Sequence, residues 1–152
     1  MQRNMHASLV VVLVGLPARG KSYIASKICT YLNWLGVHCQ VFNVGSYRRK
    51  LCGVHQPADF FSPLNGPAET ERMRAAEQAM SDMVEWLGKA EGRMEGRVAI
   101  YDATNSTRAR RDWIGQQLEG RSTYFFLESI CDDQEVFSYT SKRLNRLFEG
   151  TL

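Results

Sequence analysis

Four residues in GLPARGKS (15–22) are spaced for phosphate chemistry: Gly15, Gly20, Lys21 and Ser22 fill the pattern G-x-x-x-x-G-K-[ST] with nothing missing. A loop of this kind wraps its backbone N–H groups around a β-phosphate while the helix behind it points its positive end at the same group. Gly15 and Gly20 allow the close approach that a side chain would block. Lys21 is expected to reach the β- and γ-phosphates, and Ser22 to place its hydroxyl on Mg²⁺. The remaining loop residues, Leu16, Pro17, Ala18, Arg19 and Tyr23, are expected to line the same nucleotide site. Such a motif occurs by chance unless a strand precedes it and a helix follows, and SLVVVLV (8–14) in front of it meets the first condition. The implication is binding of ATP or GTP. Phosphoryl transfer also needs an acid near the metal, and AIYDATN offers Asp102 at the end of an apolar run. Asp102 reaches the cradle if the two strands are neighbours; otherwise it is an ordinary helix cap or turn acid.

The elements that must position these residues follow from the periodicity. SLVVVLV has no polar alternation, as expected of a strand covered on both faces in a parallel sheet. Residues 21–35 change to helical spacing, with Ile24, Ile28, Tyr31, Leu32 and Leu35 on one stripe and Gly36 as a stop. HCQVFNV (38–44) predicts a second strand, and GSYRRK behind it a loop or helix start. Three prolines and two glycines between 53 and 67 predict a loop with no regular element. Met73, Ala76, Met80, Met83, Val84 and Leu87 predict a long amphipathic helix over 69–88, its methionines filling the core. RVAIYDATN (97–105) predicts a third strand, 107–118 a helix, STYFFLES (122–129) a fourth strand and 134–148 a final helix. Strands alternating with helices imply an α/β fold, a P-loop NTPase-like parallel sheet flanked by helices, with ligands at the carboxyl ends of the strands.

Composition narrows the class. A chain of 152 residues with 44% hydrophobic content suits one globular domain, and no internal repeat or domain boundary is visible over 1–152. Nineteen Lys and Arg against 16 Asp and Glu leave a charge of +3, too mild for a nucleic-acid coat. The basic clusters YRRK (47–50) and TRARR (107–111) are either solvated faces or contacts for an acidic small molecule. Cys29, Cys39, Cys52 and Cys131 have no zinc spacing and read as reduced thiols of a cytoplasmic protein. No signal peptide or membrane span is expected, the longest apolar run being too short.

GLPARGKSY, FNVGSYRR, the pair Phe60–Phe61, YDATNSTRARR and FLESICDD, in this order over about residues 9–133, resemble the N-terminal kinase domain of the 6-phosphofructo-2-kinase/fructose-2,6-bisphosphatase family. The resemblance implies transfer of the ATP γ-phosphoryl group to the 2-hydroxyl of fructose 6-phosphate, giving fructose 2,6-bisphosphate, with Mg²⁺ as cofactor. Carried over by position, it implies that Arg48, Arg49, Arg72, Thr104 and Arg110 hold the sugar phosphate. It implies catalytic roles for Lys21, Asp102 and Cys131, and Ser22 and Asp102 at the metal. A sugar phosphate dianion suits planar guanidinium groups. Arg74 competes with Arg72 for its place, Arg108 and Arg111 read as solvated, and Cys131 taken alone reads as a small buried residue at a strand end.

After Asp133 the sequence departs from the family pattern, reading QEVFSYTSKRLNRLFEGTL. The family's nucleotide-contacting Asn, sugar-phosphate Lys and SPDY-like stretch have no clear match, Lys142 and Arg143 being the candidates for the lysine. No phosphatase half with its RHG motif is present. A fragment of a longer protein and a shortened relative both fit, and the former predicts an exposed apolar sheet edge. The competing functions are a P-loop kinase for another small-molecule or polynucleotide acceptor, and an ATP-binding module without turnover. No nucleic-acid or membrane partner is expected, and a homodimer is left open.

Overall fold

The computed structural model describes residues 8–62, 64–89 and 96–133, with positions 135 and 138. Four strands, β1 (Leu9–Val14), β2 (His38–Asn43), β3 (Arg97–Asp102) and β4 (Thr123–Glu128), form one sheet in the order β2-β3-β1-β4. Every pairing is parallel, and helices α1 (Lys21–Trp34), α2 (Val44–Cys52), α3 (Gly66–Gly88) and α4 (Arg108–Leu118) connect the strands. This is the α/β sheet expected from the alternation of elements. Of the predicted helix over 134–148, only positions 135 and 138 are among the described residues, both helical.

Strand period two sorts the apolar run of β1 between two cores. Val10 and Val12 join Phe42, Ala99 and Tyr101 against Ala79, Met80, Met83 and Leu87 of α3 and Ile114 and Leu118 of α4. Val11 and Leu13 join Cys39 and Ile100 against Ala25 of α1. Both faces of β1 and β3 are therefore buried, which is why neither sequence alternates. Met80 and Met83 fill the core as expected, and the hydroxyl of buried Tyr101 donates a hydrogen bond to the Ala76 carbonyl at 2.9 Å.

Several expectations need correction. The buried seam of α1 is Lys21 and Ala25 with Ile28, Cys29 and Leu32 packed beside them, whereas Tyr31 and Leu35 lie on the exposed side at 58% and 52%. A stripe read from apolar residues alone could not include the lysine that the sheet tip demands. Residues 53–67 are not devoid of regular structure: Ala58–Phe61 forms a 3₁₀ turn with Phe60 buried, and α3 starts at Gly66, with Asn65 accepting from the Ala68 N–H and Pro67 in its first turn. α2 begins directly at Val44, because Asn43 ends the strand and caps the helix at once. β3 ends at Asp102, the acid expected at its tip; beyond it the backbone turns and Asn105 takes φ 45°.

The two outer strands are finished differently. On β2 the Asn33 amide bonds both ways with the Cys39 backbone, accepting from its N–H at 2.9 Å and donating to its carbonyl at 3.0 Å. On β4, Phe125 and Phe126 remain 45% and 40% exposed.

Candidate active site at the tips of the first and third strands

The loop behind β1 folds around main-chain contacts. The Gly15 N–H donates to the Thr104 carbonyl at 2.9 Å, and a Cβ on Gly15 would lie 2.6 Å from the Ser129 carbonyl oxygen. With φ at +141°, glycine is required there on both counts. Ser129 itself bonds the Val14 carbonyl through its N–H and the Arg19 carbonyl through its hydroxyl, at 2.8 and 2.6 Å. Ala18 and Gly20 both take left-handed backbone, at φ 58° and 81°. The helix that follows starts at Gly20 with no side-chain cap and no acid in its first turn, so its leading N–H groups and dipole are directed at the loop without a competing oxygen.

Lys21 is buried, and its ammonium donates to the Leu16 carbonyl across the loop at 2.5 Å. Burial lowers its pKa from the usual lysine range, opposed by the negative charge of Asp102. Asp102 is 2% exposed at the end of β3, opposite Asn43 in the β2–β3 register. The Asn43 amide donates to Asp102 Oδ2 at 2.5 Å and lies 3.3 Å from Ser22 Oγ. One amide group thus gathers the buried carboxylate and the loop hydroxyl. Two hard oxygen donors beside a phosphate cradle suit Mg²⁺, which takes one or two protein oxygens and completes its shell with phosphate and water. Leu16, Pro17 and Tyr23 are exposed on the loop and first helical turn.

The arginines gather on the α2–α3 side. Arg48 lies half-buried over the rings of Phe60 and Phe61, 5.8 and 5.3 Å from their centroids. Its Nη1 is buried without a hydrogen-bond partner, and burial, reinforced by Arg49, lowers its pKa. A buried guanidinium N–H left unpaired costs about 1–3 kcal/mol or more. Arg49 donates to Ser46 Oγ at 2.9 Å. Arg72 donates to the carbonyls of Phe60 and Ser62, and so holds the 3₁₀ turn on which Arg48 stacks. Arg110 reaches Met73 of α3 and stacks on Trp113, which brings it to the same helix as Arg72. Thr104 is exposed and meets the loop through its carbonyl. Arg74 instead pairs with Glu71 at 3.0 Å on the surface, and Arg108 with Asp112 at 3.9 Å. Arg111 is not merely solvated: it donates to the carbonyls of Asn105 and Ser106.

With this geometry in place, sequence comparison is decisive: the family model described as 6-phosphofructo-2-kinase matches residues 1–146. The chain belongs to the 6-phosphofructo-2-kinase family. It is 47% identical over 128 residues to a 6-phosphofructo-2-kinase/fructose-2,6-bisphosphatase of Arabidopsis thaliana, covering 84% of this chain and 16% of that protein. It is likewise 47% identical over 128 residues to 6-phosphofructo-2-kinase/fructose-2,6-bisphosphatase 3 of Homo sapiens, covering 84% of this chain and 24% of the relative. The chain therefore spans about a quarter or less of these two relatives. Among solved structures, the APS kinase of Mycobacterium tuberculosis superposes with a TM-score of 0.61 at 14% identity, over 93% of this chain and 97% of that one, a likeness of fold.

In this 6-phosphofructo-2-kinase family member, Cys131 stands apart from the Asp102 corner. It lines a cleft of about 510 Å³ on the β4 side of the loop together with Gly15, Arg19, Glu128 and Ile130, and its carbonyl accepts from Arg19. All four cysteines are free. Two residues of the site were not singled out from the sequence, Asn43 and Asn105. Asn105 is buried at 3% exposure and donates to the Leu13 carbonyl at 2.8 Å, fixing the end of β1 against the turn after β3. Their position directly after or within strand-end motifs was the available signal, but asparagine there reads equally as a turn residue. Among the described residues no helix is long and apolar enough to cross a membrane.

Proposed function

We propose that the chain is a single kinase domain that transfers the γ-phosphoryl group of ATP to the 2-hydroxyl of fructose 6-phosphate, giving fructose 2,6-bisphosphate. The observation that carries the reading is the corner in which Lys21, Ser22 and Asp102 meet at the loop, joined by Asn43 to the helix that bears Arg48. Family membership supports the acceptor, and the unpaired Nη1 of Arg48 supplies a donor suited to its phosphate.

The loop N–H groups and the start of α1 hold the β-phosphate, and the Lys21 ammonium turns from the Leu16 carbonyl to the β- and γ-oxygens. Mg²⁺, held by Ser22 and Asp102, would neutralise charge on the same oxygens. Arg48, Arg49 and Arg110, with Thr104, hold the sugar phosphate, and Arg72 secures the turn beneath Arg48. Asp102 faces the attacking hydroxyl or the metal's water shell. Phosphoryl transfer asks mainly for alignment and charge neutralisation, and fixed cations beside a buried acid provide both. Cys131 borders the nucleotide from the β4 side. The reduced thiols fit a cytoplasmic setting, and a homodimer is compatible with the reading.

The test is incubation with ATP, Mg²⁺ and a panel of acceptors, with Lys21→Met as background. An acid-labile sugar bisphosphate formed from fructose 6-phosphate above that background is the expected result. ATP consumption with other acceptors but none with fructose 6-phosphate overturns the choice of acceptor, and nucleotide binding without turnover overturns the kinase reading.

A further inference from the structure

Asn43 occupies the junction of the two halves of the proposed site, and its side chain is used completely. Its Oδ1 accepts from the Ser46 N–H at 2.8 Å, capping α2, and from the Ser46 hydroxyl at 3.2 Å. Its Nδ2 donates to Asp102 at 2.5 Å and reaches Ser22 at 3.3 Å. The Ser46 hydroxyl in turn accepts from Arg49 at 2.9 Å. Each link donates in the same direction, from the guanidinium through Ser46 and Asn43 to the carboxylate, an arrangement in which hydrogen bonds polarise and strengthen one another. The orientation of the amide is fixed by its neighbours, since a backbone N–H demands the oxygen and a carboxylate demands the nitrogen.

We propose that Asn43 is a positioning residue that sets the Asp102 carboxylate and the Ser22 hydroxyl in place from the start of the arginine-bearing helix. The chemistry of the side chain explains the residue type. Aspartate would cap α2 equally well but would set a second negative charge against Asp102. Serine would cap the helix but is too short to reach across to β3. Only an amide of this length offers an acceptor to the helix and donors to the two oxygen ligands. The inference rests on the reading of Ser22 and Asp102 as the metal-facing pair, and its consequence is that metal-dependent nucleotide affinity depends on a residue that touches neither the metal nor the nucleotide.

Two variants separate positioning from capping. Asn43→Ser keeps the cap and loses the bridge; Asn43→Ala loses both. ATP affinity is measured by calorimetry in Mg²⁺ and in EDTA, beside melting temperature. Both variants are expected to lose about tenfold of the Mg²⁺-dependent gain in affinity, the usual size for removing an outer partner of metal ligands, while only Asn43→Ala melts markedly lower. A wild-type gain in Asn43→Ser, with loss confined to Asn43→Ala, reduces Asn43 to a helix cap and overturns the inference, as does failure of both variants to fold. A wild-type chain that binds no ATP overturns the nucleotide site and this inference together. Wild-type binding without phosphorylation of fructose 6-phosphate overturns the acceptor alone and leaves the inference standing on the calorimetry.

Discussion

Two helices start side by side at the strand tips and are finished in opposite ways. α2 is capped by Asn43, whose oxygen takes a leading N–H, and α3 and α4 are capped likewise by Asn65 and Thr107. α1 starts at a left-handed glycine with no side-chain acceptor. Its orphan N–H groups are an energetic liability in a structural helix and an asset in an anion site. The comparison teaches that the same local motif is completed where it only supports the fold and left incomplete where the ligand's oxygens are to finish it. Asn43 stands on the boundary, capping one helix while its nitrogen serves the acid that faces the other.

The strongest challenge to this contrast is Lys21→Met. Turnover is expected to fall on the order of 10²–10³-fold, as for loss of one charge-stabilising donor, while the melting temperature stays level or rises because a buried ammonium has been removed. A large loss of stability instead would make Lys21 a structural residue. Next is Gly15→Ala, whose methyl meets the Ser129 carbonyl at 2.6 Å in a positive-φ backbone. It should cost about 2–3 kcal/mol in denaturant unfolding, and an unchanged midpoint would show that the loop gives way. Arg72→Ala frees the turn under Arg48 and should raise the KM for fructose 6-phosphate about tenfold with the ATP KM little changed, from the loss of charged hydrogen bonds worth ~1.5–3 kcal/mol. Equal losses for both substrates would point to a general folding defect. Removing an ordinary cap with Thr107→Ala should cost about 1 kcal/mol of stability and leave ATP affinity as it was, the behaviour that distinguishes a completed helix start from the open one. Smallest of all, Cys131→Ser should change kcat by less than about threefold, since the thiol lies in the β4-side cleft away from the carboxylate and acts there as a small apolar side chain. A larger drop would bring Cys131 back to the reacting atoms.

Much of this was legible because it is local. The spacing of Gly15, Gly20, Lys21 and Ser22 between a strand and a helix needs no knowledge of distant residues, and the continuous apolar run of β1 announced burial on both faces. The Ala58–Phe61 turn was hidden among prolines because what holds it, the Arg72 guanidinium on the Phe60 and Ser62 carbonyls, comes from another element. The stripe of α1 was misassigned for a related reason. Apolar periodicity counts Tyr31 and Leu35 toward the core, whereas the helix is turned so that Lys21 and Ala25 face the sheet tip. Of the two finished sheet edges, the Asn33–Cys39 closure of β2 lies within six residues and the apolar β4 was anticipated only as one outcome of a fragment.

The sequence by itself determined the phosphate loop, the alternation of strands and helices, and the presence of an acid and arginines at strand ends, since each depends on backbone propensity and side-chain period within a few residues. Only the tertiary structure decided that β3 lies beside β1, which brings Asp102 to Lys21. It alone decided that Asn43 joins Ser22 to Asp102 and that Arg48 keeps an unpaired buried N–H. Those relations are long-range: they are set by the strand order and by side chains meeting across the sheet tip, and no window of the chain contains both partners.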